Sequence, residues 1–152
     1  MARENEMEIL FESKSINEGF ARVAVAAFLT QLNPTLEEVS DVKTAVSEAV
    51  TNAIIHGYEE KSGKIMIRCH YEKQNFYIEV EDYGKGIVDV KKAMEPLFTT
   101  KPELDRSGMG FSFMEAFMDE VQVESIPQRE GTIVRMQKKI GKGREIWTIQ
   151  SL

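Results

Sequence analysis

Apolar and polar residues alternate in two rhythms along the chain. Met7 to Glu12 (MEILFE) reads as a short strand. From Ser15 the rhythm becomes helical. Phe20, Val23, Ala24, Ala27, Phe28 and Leu32 recur at spacings of three and four, which predicts a helix to about Leu32 with these residues on its buried side. Ser15 and Glu18 have the spacing of a capping box, and Asn33-Pro34 stops the run. Thr35 and Glu38 repeat that spacing, and Gly57 suits a helix end, so a second helix of about 22 residues is predicted between them. Its stripe is Val39, Val42, Val46, Ala49, Val50 and Ala53. Lys64 to Tyr71 and Phe76 to Asp82 alternate with period two across the polar turn Glu72 to Asn75, the mark of a hairpin. Gly110 to Met118 is helical, and Val121 to Glu124 with Thr132 to Lys138 make a last hairpin. The order predicts an α+β fold: two layers, a mixed β-sheet with helices on one face. No domain boundary interrupts it. Residues 1–140 read as one unit and 141–152 as a short tail, locally basic and carrying the only tryptophan, Trp147.

Composition narrows the function classes. The chain has 152 residues, of which 42% are hydrophobic, enough for one domain with a sizeable core. No apolar run approaches the ~20 residues of a membrane span, and the acidic, polar N-terminus shows no signal peptide. A lone cysteine, Cys69, makes neither an internal disulfide nor a cysteine zinc cluster, and suits the reducing cytoplasm. The net charge of −6 argues against binding nucleic acid through its phosphates but leaves room for a basic protein partner.

Three constellations could carry chemistry. Glu48 and Asn52 stand four apart and so stack on one side of the second helix, at the border of its apolar stripe. An Asn oxygen can ligate Mg²⁺, and a Glu beside it can orient or deprotonate a hydroxyl. Taken alone, the pair reads as an ordinary solvated helix face. Asp82-Tyr83-Gly84-Lys85-Gly86 ends a strand. Its glycines admit a flat ligand to the backbone, and Asp82 could accept a hydrogen bond from an amino group such as that of adenine. Alone, it is also a plain strand-ending turn. Ser107-Gly108-Met109-Gly110 opens a helix whose N–H groups suit a phosphate. The segment before it, with Thr99, Thr100, Lys101 and Arg106, fits a lid over phosphates, and equally a connecting loop. A Rossmann fingerprint fits poorly and a Walker A loop is absent. His56 and His70 lack ligand spacing and read as structural; Met109, Met114 and Met118 read as packing residues.

The order of these motifs resembles the ATP-binding fold shared by gyrase, heat-shock chaperones, histidine kinases and mismatch-repair ATPases. Within it, the strings FARVAVAAF, SEAVTNAIIHGYEE, EPLFTTKPELDRSGMGF and MEAFMDEV are similar to the anti-sigma factors and serine kinases of spore-forming bacilli, over about residues 5–140. The resemblance implies ATP and Mg²⁺ as cofactors, with Asn52 on the metal, Glu48 as catalytic carboxylate and Asp82 reading adenine beside Gly84 and Gly86. It places Thr99, Thr100, Lys101, Ser107, Gly108, Met109 and Gly110 near the phosphates, Arg106 as a lid cation, Thr132 near the adenine, and Arg22 on a partner surface. It implies a protein serine/threonine kinase and homodimer that inhibits a sporulation sigma factor and phosphorylates an anti-anti-sigma protein on serine. Direct nucleic-acid and membrane contacts are not implied. Tyr83 departs from the small or acidic residue more usual in that loop. Alternatives are a stress-response anti-sigma kinase, a non-catalytic nucleotide-gated module, and a detached histidine-kinase domain, the last lacking a helical segment with a phosphoacceptor histidine.

Overall fold

A computed structural model describes residues 3–58, 62–84, 86, 94, 110–125 and 131–141. Its strands are β1 (Asn5–Glu12), β2 (Lys64–Glu72), β3 (Asn75–Asp82), β4 (Glu120–Ser125) and β5 (Thr132–Lys139). Its α-helices are α1 (Ile16–Leu29), α2 (Leu36–Asn52) and α3 (Gly110–Phe117). The α+β class expected from the patterning holds.

The sheet has the order β1-β2-β3-β5-β4, and every neighbouring pair is antiparallel. The expected mixed sheet is therefore corrected. The physical reason lies in the connections. Two helices separate β1 from β2, so the chain reverses three times between them, and an odd number of reversals returns it antiparallel. β3 and β4 do run in the same direction, but β5 inserts between them, so these two parallel strands never pair. On the inner face Ile65, Ile67, Cys69, Phe76, Ile78 and Val80 are buried with the helices' apolar residues in one core. The outer face carries ion pairs: Arg68 donates to Glu8 and Glu81, and Arg135 to Glu79 and Glu124.

The two capping boxes fare differently. Thr35 accepts from the Glu38 N–H and Glu38 accepts from the Thr35 N–H, fixing the start of α2. Ser15 makes no side-chain cap, and Glu18 turns instead to accept from Arg22 at 3.2 Å. The expected box at Ser15 is thus not formed; the opposite charge four residues on wins its carboxylate.

The buried face of α1 also differs from expectation. Ala21, Val25 and Leu29 are fully buried, with Leu32 behind them, whereas Phe20 and Val23 are more than half exposed, at 54% and 57%. The helix is apolar almost all round, so hydrophobicity alone does not choose a side. Size does not choose it either: of the expected stripe Ala27 is exposed and Ala24 and Phe28 are only half-buried, while Leu29 is buried. The helix then tightens into a 3₁₀ turn, Thr30–Leu32, closed by Asn33 at φ 52°. On α2 the stripe matches better: Val42, Val46, Ala49, Val50 and Ala53 are buried, and Val39 packs partly against the core. The predicted last stretch to Gly57 exists, but Ala53–Gly57 is a π-helical turn.

Candidate functional site

α2 and its π-turn form the spine on which the candidate residues converge. Glu48 and Asn52 sit on α2, both half-buried, at the edge of the buried stripe. Gly110, the first residue of α3, closes over them. A Cβ there would lie 3.1 Å from Asn52 Nδ2 and 3.3 Å from both Asn52 Oδ1 and Glu48 Oε2. The glycine thus lets the start of α3 approach the two polar groups directly.

The second cluster lies five residues along the same spine. Asp82, the last residue of β3, is 6% exposed. Its carboxylate presses on Gly57: a Cβ on that glycine would come within 2.9 Å of Asp82 Oδ1. Gly84 donates its N–H to Asp82 Oδ1 at 2.9 Å. Gly84 in turn lies on the π-turn backbone, where a Cβ would be 2.1 Å from the Gly57 carbonyl oxygen. Gly131 passes equally close to the Asp82 carbonyl, with its Cβ position 2.6 Å away. Gly86 is buried at φ 79°, a conformation glycine adopts without strain. Thr132 is buried opposite Asp82 in the β3–β5 register, its hydroxyl 3.2 Å from that of Ser125.

Burial pushes the Asp82 carboxyl up to about 6 against the opposing Gly84 hydrogen bond, and the Glu81 charge adds to the rise. A desolvated carboxylate is a strong acceptor for an amino group.

Of the residues singled out in the sequence, the structure brings Glu48, Asn52 and Gly110 together, and Asp82, Gly84, Gly86 and Thr132 around the end of β3. Arg22 stands apart. It lines a groove of about 490 Å³ between α1 and α2 with Glu18, Leu36, Val39, Lys43 and Ser47. Thr99, Thr100, Lys101, Arg106, Ser107, Gly108 and Met109 lie outside the described residues. Sequence reasoning took Gly57 only as a helix end and passed over Tyr58 and Ser125. A glycine directly after an apolar helical run was the available signal for Gly57; nothing local marked Ser125.

Among the described residues no group of three or more His, Cys, Asp or Glu converges on a metal position. The Asn52 side-chain oxygen is of the hard-donor type that Mg²⁺ takes.

An antiparallel sheet backed by helices, with the polar residues of α2 and the end of β3 meeting along one spine, fits the histidine kinase-like ATPase domain, and the family model of that description matches residues 12–138. The backbone superposes with a TM-score of 0.63, at 19% identity, on a crystal structure of the RsbU and RsbW domains of a Mycobacterium tuberculosis protein, covering 90% of this chain and 32% of that one. With the catalytic domain of the histidine kinase ThkA the TM-score is 0.56 at 18% identity, over 90% and 96% of the two chains. Sequence relatives are nearer. The chain is 60% identical over 144 residues to the anti-sigma F factor of Caldanaerobacter subterraneus subsp. tengcongensis, covering 95% of this chain and 100% of the relative. It is 52% identical over 143 residues to that of Bacillus subtilis, covering 93% and 97%. The chain belongs to the anti-sigma F factor family.

Proposed function

We propose that this chain binds Mg-ATP, inhibits a sporulation sigma factor by holding it, and phosphorylates a serine of an anti-anti-sigma protein. The observation that carries the reading is the convergence of Glu48, Asn52 and Gly110 at one end of the α2 spine, whose other end, the π-turn, touches the buried Asp82 through Gly57. One end is built for phosphates and a cation, the other for a base.

Each residue then has a task. Asp82 accepts a hydrogen bond from the adenine amino group. Gly57 and Gly84 let the π-turn and the loop after β3 pack together and so hold Asp82 in place, Gly86 supplies the positive φ of that loop, and Thr132 borders the base. Asn52 would ligate Mg²⁺, which offsets phosphate charge when bound. Gly110, with Ser107, Gly108 and Met109, offers backbone N–H groups to phosphate oxygens. Thr99, Thr100, Lys101 and Arg106 belong to the lid in this reading, the two cations facing phosphate charge. Glu48 takes the proton of the attacking serine hydroxyl as its oxygen bonds to the γ-phosphorus; the bond from that phosphorus to the bridging oxygen breaks, and ADP leaves.

The partner surface is the α1–α2 groove. It runs along α2 from Leu36 to Ser47. Arg22 and Lys43 give it cations, Glu18 an anion, and exposed Ile16, Phe20, Val23 and Leu36 stand on the same two helices. Apolar residues flanking a charged groove are what a protein partner needs. The sequence resemblance supports a homodimer. Among the described residues no helix is long and apolar enough to cross a membrane.

Incubation with γ-labelled ATP, Mg²⁺ and a serine-bearing anti-anti-sigma protein tests the reading. Label on the partner's serine is expected. Tight ATP binding with an unlabelled partner would reduce the chain to a nucleotide-gated binding module.

A further inference from the structure

Tyr58 follows the π-turn directly, and its hydroxyl reaches across the end of the sheet. It accepts the Tyr83 N–H at 2.7 Å and donates to the Lys64 carbonyl at 2.5 Å. These two backbone groups are not arbitrary. The β2–β3 ladder pairs Ile65 with Asp82, so one further step would set Lys64 opposite Tyr83. The hydroxyl stands between the strands at that next position, and the ladder ends there. Its ring lies flat enough against Gly63 that a Cβ on that glycine would come within 2.3 Å of the ring. Burial raises the phenol's pKa, which keeps the hydroxyl protonated and able to donate.

We propose that Tyr58 is a positioning residue for base recognition: its hydroxyl holds the strand end open between Lys64 and Tyr83 and so fixes where the Asp82 carboxylate and Gly84 meet the nucleotide base. The inference rests on the reading of Asp82 as the adenine acceptor. The geometry is consistent on both sides of Asp82. The residue after it is tied to the Tyr58 hydroxyl, the next residue lies against the Gly57 carbonyl, and the carboxylate itself touches Gly57. Tyr58 and Gly57 are consecutive, so the π-turn grips the Asp82 segment at three points. Removing the hydroxyl leaves the Tyr83 N–H and Lys64 carbonyl either unpaired or free to close the gap, and both shift the loop.

The experiment compares Mg-ATP with Mg-inosine triphosphate, in which a carbonyl replaces the adenine amino group. The affinities of both are measured for the full chain and for Tyr58→Phe, Gly63→Ala and Asp82→Asn. Tyr58→Phe is expected to lower ATP affinity about tenfold while inosine triphosphate binding changes little, so that base selectivity shrinks. Gly63→Ala, which displaces the ring but keeps the hydroxyl, should do the same and stands in if Tyr58→Phe does not fold. Losses in Tyr58→Phe/Asp82→Asn should be clearly less than additive, as expected of groups acting through one contact. Normal selectivity in Tyr58→Phe, with selectivity lost in Asp82→Asn, would overturn the inference and leave the adenine reading intact. Equal weakening of both nucleotides in Tyr58→Phe and Gly63→Ala would overturn it in favour of a purely structural tyrosine. Unchanged selectivity in Asp82→Asn would remove the adenine reading and this inference with it.

Discussion

At the scale of single residues the buried Asp82 sets stability against function. Its carboxyl titrates near 6 in the folded chain against an ordinary value of 3.8. Between those values the native state holds more protons than the unfolded state, so this group's contribution to stability falls as pH rises across that window and stays low above it. The cost above pH 6 is roughly 2–3 kcal/mol. Asp82→Asn keeps the acceptor for the Gly84 N–H and removes the buried charge. The nucleotide-free variant should therefore be more stable than the parent at pH 7.5, and its stability should vary less between pH 4 and 6, as read by urea denaturation. The same variant presents an amide donor to the adenine amino group and should lose ten- to over a hundredfold in ATP affinity, the equivalent of about 1.5–3 kcal/mol. A variant that binds ATP normally in calorimetry would remove Asp82 from the site.

At the scale of elements, α2 is positioned from both ends. Glu38 accepts the Thr35 N–H through one oxygen and the Gly141 N–H through the other, so one carboxylate caps the helix and anchors the exit from β5. Glu38→Ala removes both bonds and should cost about 1–2 kcal/mol in denaturant unfolding. A change of a few tenths would show that water replaces the cap. At the far end, Gly57→Ala separates helix propensity from site geometry. Alanine favours a helix over glycine, but its Cβ would meet the Asp82 carboxylate at 2.9 Å. The expected outcome is a folded protein with ATP affinity reduced at least tenfold; unimpaired affinity would mean that the carboxylate need not stay where the structure places it. These elements also show what the sequence could disclose. The α2 face was legible because its polar positions are continuous, and the β2 and β3 strands because Ile65, Ile67, Phe76 and Ile78 alternate cleanly with polar neighbours. The α1 face was not, because Phe20, Ala21, Val23, Ala24 and Val25 are all apolar and only the neighbouring helix decides between them. The π-turn was hidden for a similar reason: its hydrogen bonds shift register to bring Gly57 against Asp82, a contact 25 residues away in sequence.

At the scale of the molecule, one helix serves two surfaces in the proposed reading. The groove with Arg22 and Lys43 is lined by α2 residues from Leu36 to Ser47, and Glu48 and Asn52, the proposed nucleotide residues, lie at the C-terminal end of the same helix. The antiparallel order followed from β5 inserting between β3 and β4, which local patterning does not encode. The motifs Glu48–Asn52 and Asp82–Gly84 were readable as a pair only because a whole-chain order linked them; their meeting through Gly57 and Gly110 needed coordinates. Arg22 tests the separation of the two surfaces. Its pairing with Glu18 is exposed and spans one helical turn, worth only about 0.3–0.5 kcal/mol to the fold. Arg22→Ala should leave stability and ATP affinity nearly unchanged. It should weaken both the sigma and the anti-anti-sigma complex, by roughly 2 kcal/mol if Arg22 is a central anchor. Normal affinity for both partners would move the docking surface elsewhere.

The most direct test of the central claim is phosphoryl transfer by Glu48→Gln under single-turnover conditions, with ATP affinity measured on the same sample. Gln nearly preserves the shape beside Asn52 and Gly110 but cannot take the serine proton. Losses from removing a general base run from about 10² to 10⁴, and because phosphoryl transfer depends mainly on positioning and charge the lower end is expected. The predicted result is ATP bound as tightly as by the parent and transfer to the anti-anti-sigma serine slowed about a hundredfold. Undiminished transfer by a folded, ATP-bound Glu48→Gln protein would contradict the account.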